Sequence, residues 1–263
     1  MDNSPNGRAE RHRYCFEVCA AGIDSCRAAE RAGADRVELC SGMVEGGITP
    51  SHGVIKVARE VLSLCRLHVI IRPRGGDFIY SDDELRAMTE DILSARDMGV
   101  DGVVFGCLDE RGDVDERACA ALLRAADGMS TTFHRAFDCC AHPLRNLERL
   151  VRLGFDRLLT SGQEPTAELG VPLLRSLHAA AAGRIVIMAG SGVNERNIAR
   201  IHAATGIGEF HFSARSERPG ASAFRNPRVT MGASDGTIVA SSYERIVATI
   251  RACVESDSIA REE

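Results

Sequence analysis

The sequence predicts one α/β domain, a single (β/α)8 TIM-like barrel with a long loop after strand eight. Three observations carry this. Eight short apolar runs alternate with eight helix-like segments, the pattern of βα units around a parallel sheet. A G-x-D-x-apolar motif recurs at GADRV (33–37), GVDGV (99–103) and GFDRL (154–158), with a weaker copy at GIGEF (206–210). The copies fall two βα units apart, each ahead of an even-numbered strand. And 263 residues hold one such barrel with little left over. The runner-up is an open doubly wound sheet, but no G-x-G-x-x-G follows the first strand, which disfavours a dinucleotide-binding version. The barrel is expected over 14–255, between flexible polar tails at 1–13 and 256–263.

In order, strands are expected at CFEVCA (15–20), RVELC (36–40), LHVIIRPR (67–74), GVVFGCL (102–108), STTFHRAFD (130–138), RLLTSG (157–162), RIVIMAG (184–190) and EFHFSAR (209–215). Helix signals separate them. Thr49-Pro50 reads as an N-cap followed by proline at the first helical position. SDDE (81–84) is a capping box; Leu85, Met88, Ile92, Ala95 and Met98 then form one apolar stripe, and Gly99 ends the helix. LRNLERLVRLG (144–154) ends on Gly154, and a helix is expected to start near Asn194. SSYE (241–244) caps the last helix, with Ile246, Val247, Ile250 and Val254 on one face. In each repeat, Gly ends a helix in a left-handed turn and Asp holds the tight loop before the strand. The 216–240 stretch is long for a βα loop and reads as a lid or subunit contact.

Composition narrows the function classes. A formal net charge of −5 gives no electrostatic reason to expect nucleic acid or an anionic membrane. No apolar run approaches the ~20 residues of a membrane span. The only lysine, Lys56, sits in the helical run SHGVIKVAREVL, so chemistry through a strand-end lysine imine is excluded. Ten cysteines without a CxxC pair indicate neither a zinc ribbon nor a thioredoxin motif; most read as buried thiols in a reducing compartment.

Barrel sites form at the C-terminal ends of strands, and those ends are polar here. Strand one ends with Glu17 and Cys19, strand two with Glu38 and Cys40. Strand three carries Arg72 and Arg74 on one face, strand five His134 and Asp138. Thr160 and Ser161 end strand six, and strand eight presents His211 and Ser213. Alternation points Glu17, Glu38, Arg72 and His134 inward, leaving Val18, Leu39, Ile71 and Phe133 to the helix layer. Glu17, Glu38 and Arg72 are then the expected ion-pair partners.

Three chemistries stay open. Cys19 and Cys40 on neighbouring strands could hold a soft ion such as Cu(I). Alternatively, an enzyme acting on a small anionic or phosphorylated substrate would use Glu17, Glu38, His134 and Asp138 for acid–base work. Its anion would lie on Arg72 and Arg74 and on the backbone of TSG (160–162) and MAGSGV (188–193), with Gly190 and Gly192. Third, the polar rim could be only a stabilising network.

Together these stretches resemble the CutC copper-homeostasis family. The resemblance rests on FEVC (16–19), GADRVELCSGMVEGGITPSHGV (33–54), IIRPRGGDFIYSDDE (70–84), TFHRAFD (132–138), LTSGQ (159–163), IMAGSGV (187–193) and EFHFSARS (209–216). FRNPRVTMGAS (224–234) is similar to the eukaryotic type. The resemblance implies a TIM-like barrel forming homo-oligomers (dimer or tetramer), cytoplasmic and also nuclear. It implies copper tolerance, with Cu(I) held by Cys19 and Cys40.

Overall fold

A computed structural model describes residues 13–230 and 236–259. The expected tails lie largely outside these residues, as does the end of FRNPRVTMGAS. Eight parallel strands close into a barrel in chain order: β1 (Cys15–Ala20), β2 (Arg36–Leu39), β3 (Arg66–Ile70), β4 (Gly102–Phe105), β5 (Ser130–Phe133), β6 (Arg157–Thr160), β7 (Val186–Gly190) and β8 (Glu209–Phe212). Strand β8 pairs back onto β1, with Glu17 opposite His211. The helices are α1 (Ile23–Ala32), α2 (His52–Val61), α3 (Asp82–Asp97), α4 (Glu116–Ala125), α5 (Pro143–Leu153), α6 (Val171–Ala181), α7 (Ile198–Thr205) and α8 (Tyr243–Ile259).

The recurring motif does what its residues predict, and more. Gly33 and Gly154 adopt φ of 72° and 86° at the ends of α1 and α5, a region open to glycine at little cost. Each Asp then reaches back to the preceding strand. Asp35 accepts from the Phe16 amide (2.9 Å), Asp101 from Leu67 (2.8 Å) and Asp156 from Thr131 (2.8 Å). The motif thus staples β1, β3 and β5 to the loops entering β2, β4 and β6.

Several boundaries differ from expectation. Strand β3 stops at Ile70, just before Pro73, which has no amide for a ladder. Strand β5 stops at Phe133, and Arg135–Cys139 form a 3-10 turn. The cap of α2 is Ser51, whose Oγ accepts from Val54; Thr49 instead accepts from the Arg72 amide. Helix α7 begins at Ile198 rather than near Asn194. The 216–240 stretch is not all loop: β9 (Arg215–Pro219) and β10 (Thr237–Ser241) form an antiparallel hairpin. Arg218–Asp24 (2.8 Å) and Ser241–Ser25 (3.0 Å) anchor it beside α1.

Alternate strand residues divide two interiors. Phe16, Val18, Val37, Leu39, Val69, Phe105 and Phe133 are fully buried against the helices in one apolar core. Each such side chain contributes about 1.5–3 kcal/mol relative to exposure. The opposite faces fill the barrel with charge. Arg36, 2% exposed, pairs with Glu17 and with Glu209 (2.8 Å), and Arg157 joins Glu209 at 2.6 Å. His68 lies beside this plug, where a Cβ on Gly102 would meet its ring at 2.5 Å. Burial first, with Arg36 and Arg157 adding, pushes His68 down to about 3, so it is neutral.

Candidate metal and ligand site

Above the plug the barrel opens into a cavity of about 570 Å³ at the C-terminal strand ends. Cys19 and Cys40 form one wall, both buried, with Sγ atoms 4.0 Å apart. The closeness follows from register: Cys19 stands opposite Glu38, and Cys40 follows two residues on, tied by its amide to Ala20 O (2.9 Å). The Cys40 Sγ lies 3.3 Å from Glu38 Oε2. Ligand atoms of Cys19, Glu38 and Cys40 all fall within 4.8 Å of one another, close enough to share an ion.

The charges here form a chain. Burial works against an ionised Glu17, but Arg36 and then His211 hold it well below the usual carboxylate range. Burial likewise opposes charge on His211, yet neighbouring acids and the Cys19 thiol hold it well above the usual imidazole range. Glu38, Cys19 and Glu17 contribute in that order, with Glu17 2.7 Å from Nδ1 and Glu38 3.6 Å from Nε2. Burial pushes Glu38 up to about 8, against the pull of His211. The thiols split: the hydrogen bond from Cys40 and the nearby His211 lower Cys19, while that same bond and burial raise Cys40. The two thiols are thus pushed apart, Cys19 down and Cys40 up, as a coupled pair.

The other expected residues separate into three groups. His134, Gly192, His211 and Ser213 line the cavity. His134 is neutral, pushed down to about 3 by burial and then Arg72. Its Nδ1 accepts from Ala136 (3.2 Å), which leaves the proton on Nε2, and Nε2 has no partner among the described residues. Gly190 makes room: a Cβ there would sit 2.5 Å from Leu159 and 3.3 Å from His211 Cβ.

The second group is consumed by structure. Asp138 is not on a strand face with His134; it sits in the 3-10 turn and accepts from Thr160 Oγ1 (2.5 Å), the Ser161 amide (3.0 Å) and Arg135 (2.7 Å). Arg72 lines the cavity but pairs with neither glutamate. Its guanidinium donates to the carbonyls of Glu45 (2.5 Å), Gly47 (2.9 Å) and Gly76 (3.1 Å) and stacks on Phe78. The expected Glu17–Glu38–Arg72 cluster is replaced by Arg36, because Arg36 shares the inward face with Glu38 two residues on. Arg74 forms the third group. It turns outward to Glu84 (2.5 Å) and Asp77 (3.0 Å), since the chain has left the strand after Ile70.

Sequence reasoning missed Arg36, Arg157 and Glu209, although the period of two that places Glu38 and His211 also places Arg36 and Glu209. It missed Met43 and Arg135, which line the cavity from 3-10 turns and carry no periodic signal.

Residues 14–216 match the model of the CutC family. The chain belongs to the CutC family. A CutC family protein from Bacteroides thetaiotaomicron is 54% identical over 93% of this chain and 97% of its own. The human copper homeostasis protein cutC homolog is 48% identical over 88% of this chain and 84% of its own. The crystal structure of a Streptococcus agalactiae protein named for copper homeostasis, CutC, superposes with a TM-score of 0.73. It is 38% identical and covers 76% of this chain and 98% of that one. The family's copper association meets, in this chain, a buried thiol pair at the barrel mouth.

Proposed function

We propose that this CutC family member binds Cu(I) between Cys19 and Cys40 as part of copper homeostasis. The observation that carries the reading is the pair of buried thiols with Sγ atoms 4.0 Å apart. Soft thiolates select Cu(I). Charge supports a monovalent ion. Arg36, Arg157 and protonated His211 balance Glu17, Glu209 and the Cys19 thiolate inside the barrel. Cu(I) replacing one thiol proton leaves that balance unchanged, whereas a divalent ion adds a buried charge, which is costly. Glu38 takes part as a neighbour of the Cys40 proton rather than as a ligand, since a carboxyl is a hard donor. The reading includes a reducing, cytoplasmic and nuclear setting and a homo-oligomer; fractionation and light scattering test these. Anaerobic Cu(I) titration against a chelator tests the site. One equivalent should bind the wild type, and Cys19→Ser should abolish it. Unchanged stoichiometry and affinity in that variant would remove the assigned ligands.

A second reading is favoured by the unpartnered Nε2–H of His134 and by a cavity far larger than one ion needs. A small anionic or phosphorylated molecule would accept from His134 and from Arg135 and Arg215, which line the same cavity. Acid–base chemistry there falls to Glu38, because Glu17 and Asp138 are held by ion pairs and hydrogen bonds and burial makes His134 a weak base. Inorganic phosphate should raise the thermal midpoint of the wild type and not of Arg215→Ala. Equal response in both would count against this subsite.

A further inference from the structure

We propose that Met43 supplies the third ligand to Cu(I), through its thioether sulfur; this rests on the Cu(I) reading above. Geometry leaves a position to fill. Taking the zinc–thiolate bond of about 2.3 Å as a guide, a linear site would need sulfurs about 4.6 Å apart. Sulfurs 4.0 Å apart would instead subtend about 120° at an ion between them on that bond length. Two thiolates at that angle would leave room for one more donor.

The neighbours narrow the donor. His211 is anchored through Nδ1 on Glu17 at 2.7 Å and turns Nε2 toward Glu38 at 3.6 Å. Glu38 is a hard donor, and its Oε2 already lies 3.3 Å from Cys40 Sγ. Met43 is half-buried, packs directly on the Cys19–Cys40–Ile70 cluster and lines the cavity. Its thioether is soft, uncharged at every pH, and leaves the charge balance untouched.

The turn that carries Met43 is fixed, not adaptable. Ser41 and Ile48 close it with reciprocal amide–carbonyl bonds of 3.0 and 2.8 Å. Gly42, Gly46 and Gly47 take φ of 55°, 83° and 96°, and a Cβ on Gly47 would crowd Ile70 at 3.2 Å. Arg72, 4% exposed, clamps the turn through Glu45 O and Gly47 O. The buried arginine thus fixes the turn that packs Met43 against the Cys19–Cys40–Ile70 cluster.

The experiment uses selenomethionine-substituted full-length protein loaded anaerobically with one equivalent of Cu(I). Copper and selenium X-ray absorption should both show a copper–selenium contact, and Met43→Leu should lose it. Chelator competition should show Cu(I) weakened on the order of tenfold in Met43→Leu, an easily resolved change, with Zn(II) binding unmoved. Copper bound by two sulfurs with no selenium neighbour overturns the third ligand and leaves the thiol site standing. Copper that fails to bind, or binds equally to Cys19→Ser, overturns both.

Discussion

Glu38→Gln in the metal-free protein should stabilise the fold at neutral pH, and by an amount that depends on pH. Burial holds the native Glu38 carboxyl at about 8, against an ordinary 4.5. Raised values favour the folded state at low pH, so this group's contribution is complete below 4.5 and declines as pH rises toward 8. At pH 7 the unfolded chain carries the residue ionised, and folding must protonate it. Between pH 4.5 and 7, at about 1.36 kcal/mol per pH unit, that costs about 3 kcal/mol. Glutamine keeps the shape and an acceptor for Cys40 and has nothing to protonate. Urea unfolding should therefore show wild type and variant nearly equal near pH 5. The variant should gain on the wild type with rising pH until about 8, with unchanged m-values. A variant less stable at pH 7, or an offset that does not grow with pH, would refute an uncharged Glu38 at the site.

Arg36→Met should be severe, because it leaves the fully buried Glu17 with His211 alone, while Glu209 keeps Arg157. The expected loss is about 3–5 kcal/mol by urea unfolding, since breaking a buried pair costs more than the pair is worth. A loss under 1 kcal/mol would mean the plug is not a coupled network. Cu(I) affinity should rise about tenfold per pH unit between pH 6 and 8, because one thiol proton is displaced. A hundredfold rise per unit in chelator competition would mean that both thiols begin protonated.

The fold was legible because barrel patterning is local: strand runs, caps and the G-x-D motif each sit within a few residues. The face carrying Glu17 and Cys19, or Glu38 and Cys40, followed from a period of two. Where the backbone left the strand, that period stopped carrying information. Arg74 and Asp138 were placed on faces that do not exist past Ile70 and Phe133, and Met43 belongs to a turn with no period. Pairing was the other gap. Arg72 and Arg36 look alike in sequence, yet Arg36 stands opposite Glu17 on the neighbouring strand while Arg72 finds carbonyls first. Only the closed geometry distinguishes them.

Stability and site chemistry meet at Glu17. Arg36 holds its carboxyl down, Glu17 helps Glu38 and Cys19 hold His211 up from 2.7 Å, and His211 helps hold Cys19 down. The acid and the thiol of strand β1 are thus linked through an imidazolium rather than by direct contact. Glu17→Gln tests the chain. Without the carboxylate, His211 loses one of the groups that hold it up, and Cys19 loses part of its support. The ultraviolet thiolate absorbance of the metal-free protein should then appear at higher pH than in wild type. Cu(I) uptake should displace two protons, steepening its pH dependence toward a hundredfold per unit. A merely structural role would lower stability and leave both the thiolate titration and that slope where they were. His211→Asn, which removes the imidazolium directly and spares the Arg36–Glu17 pair, should reproduce the titration change with a smaller loss of stability.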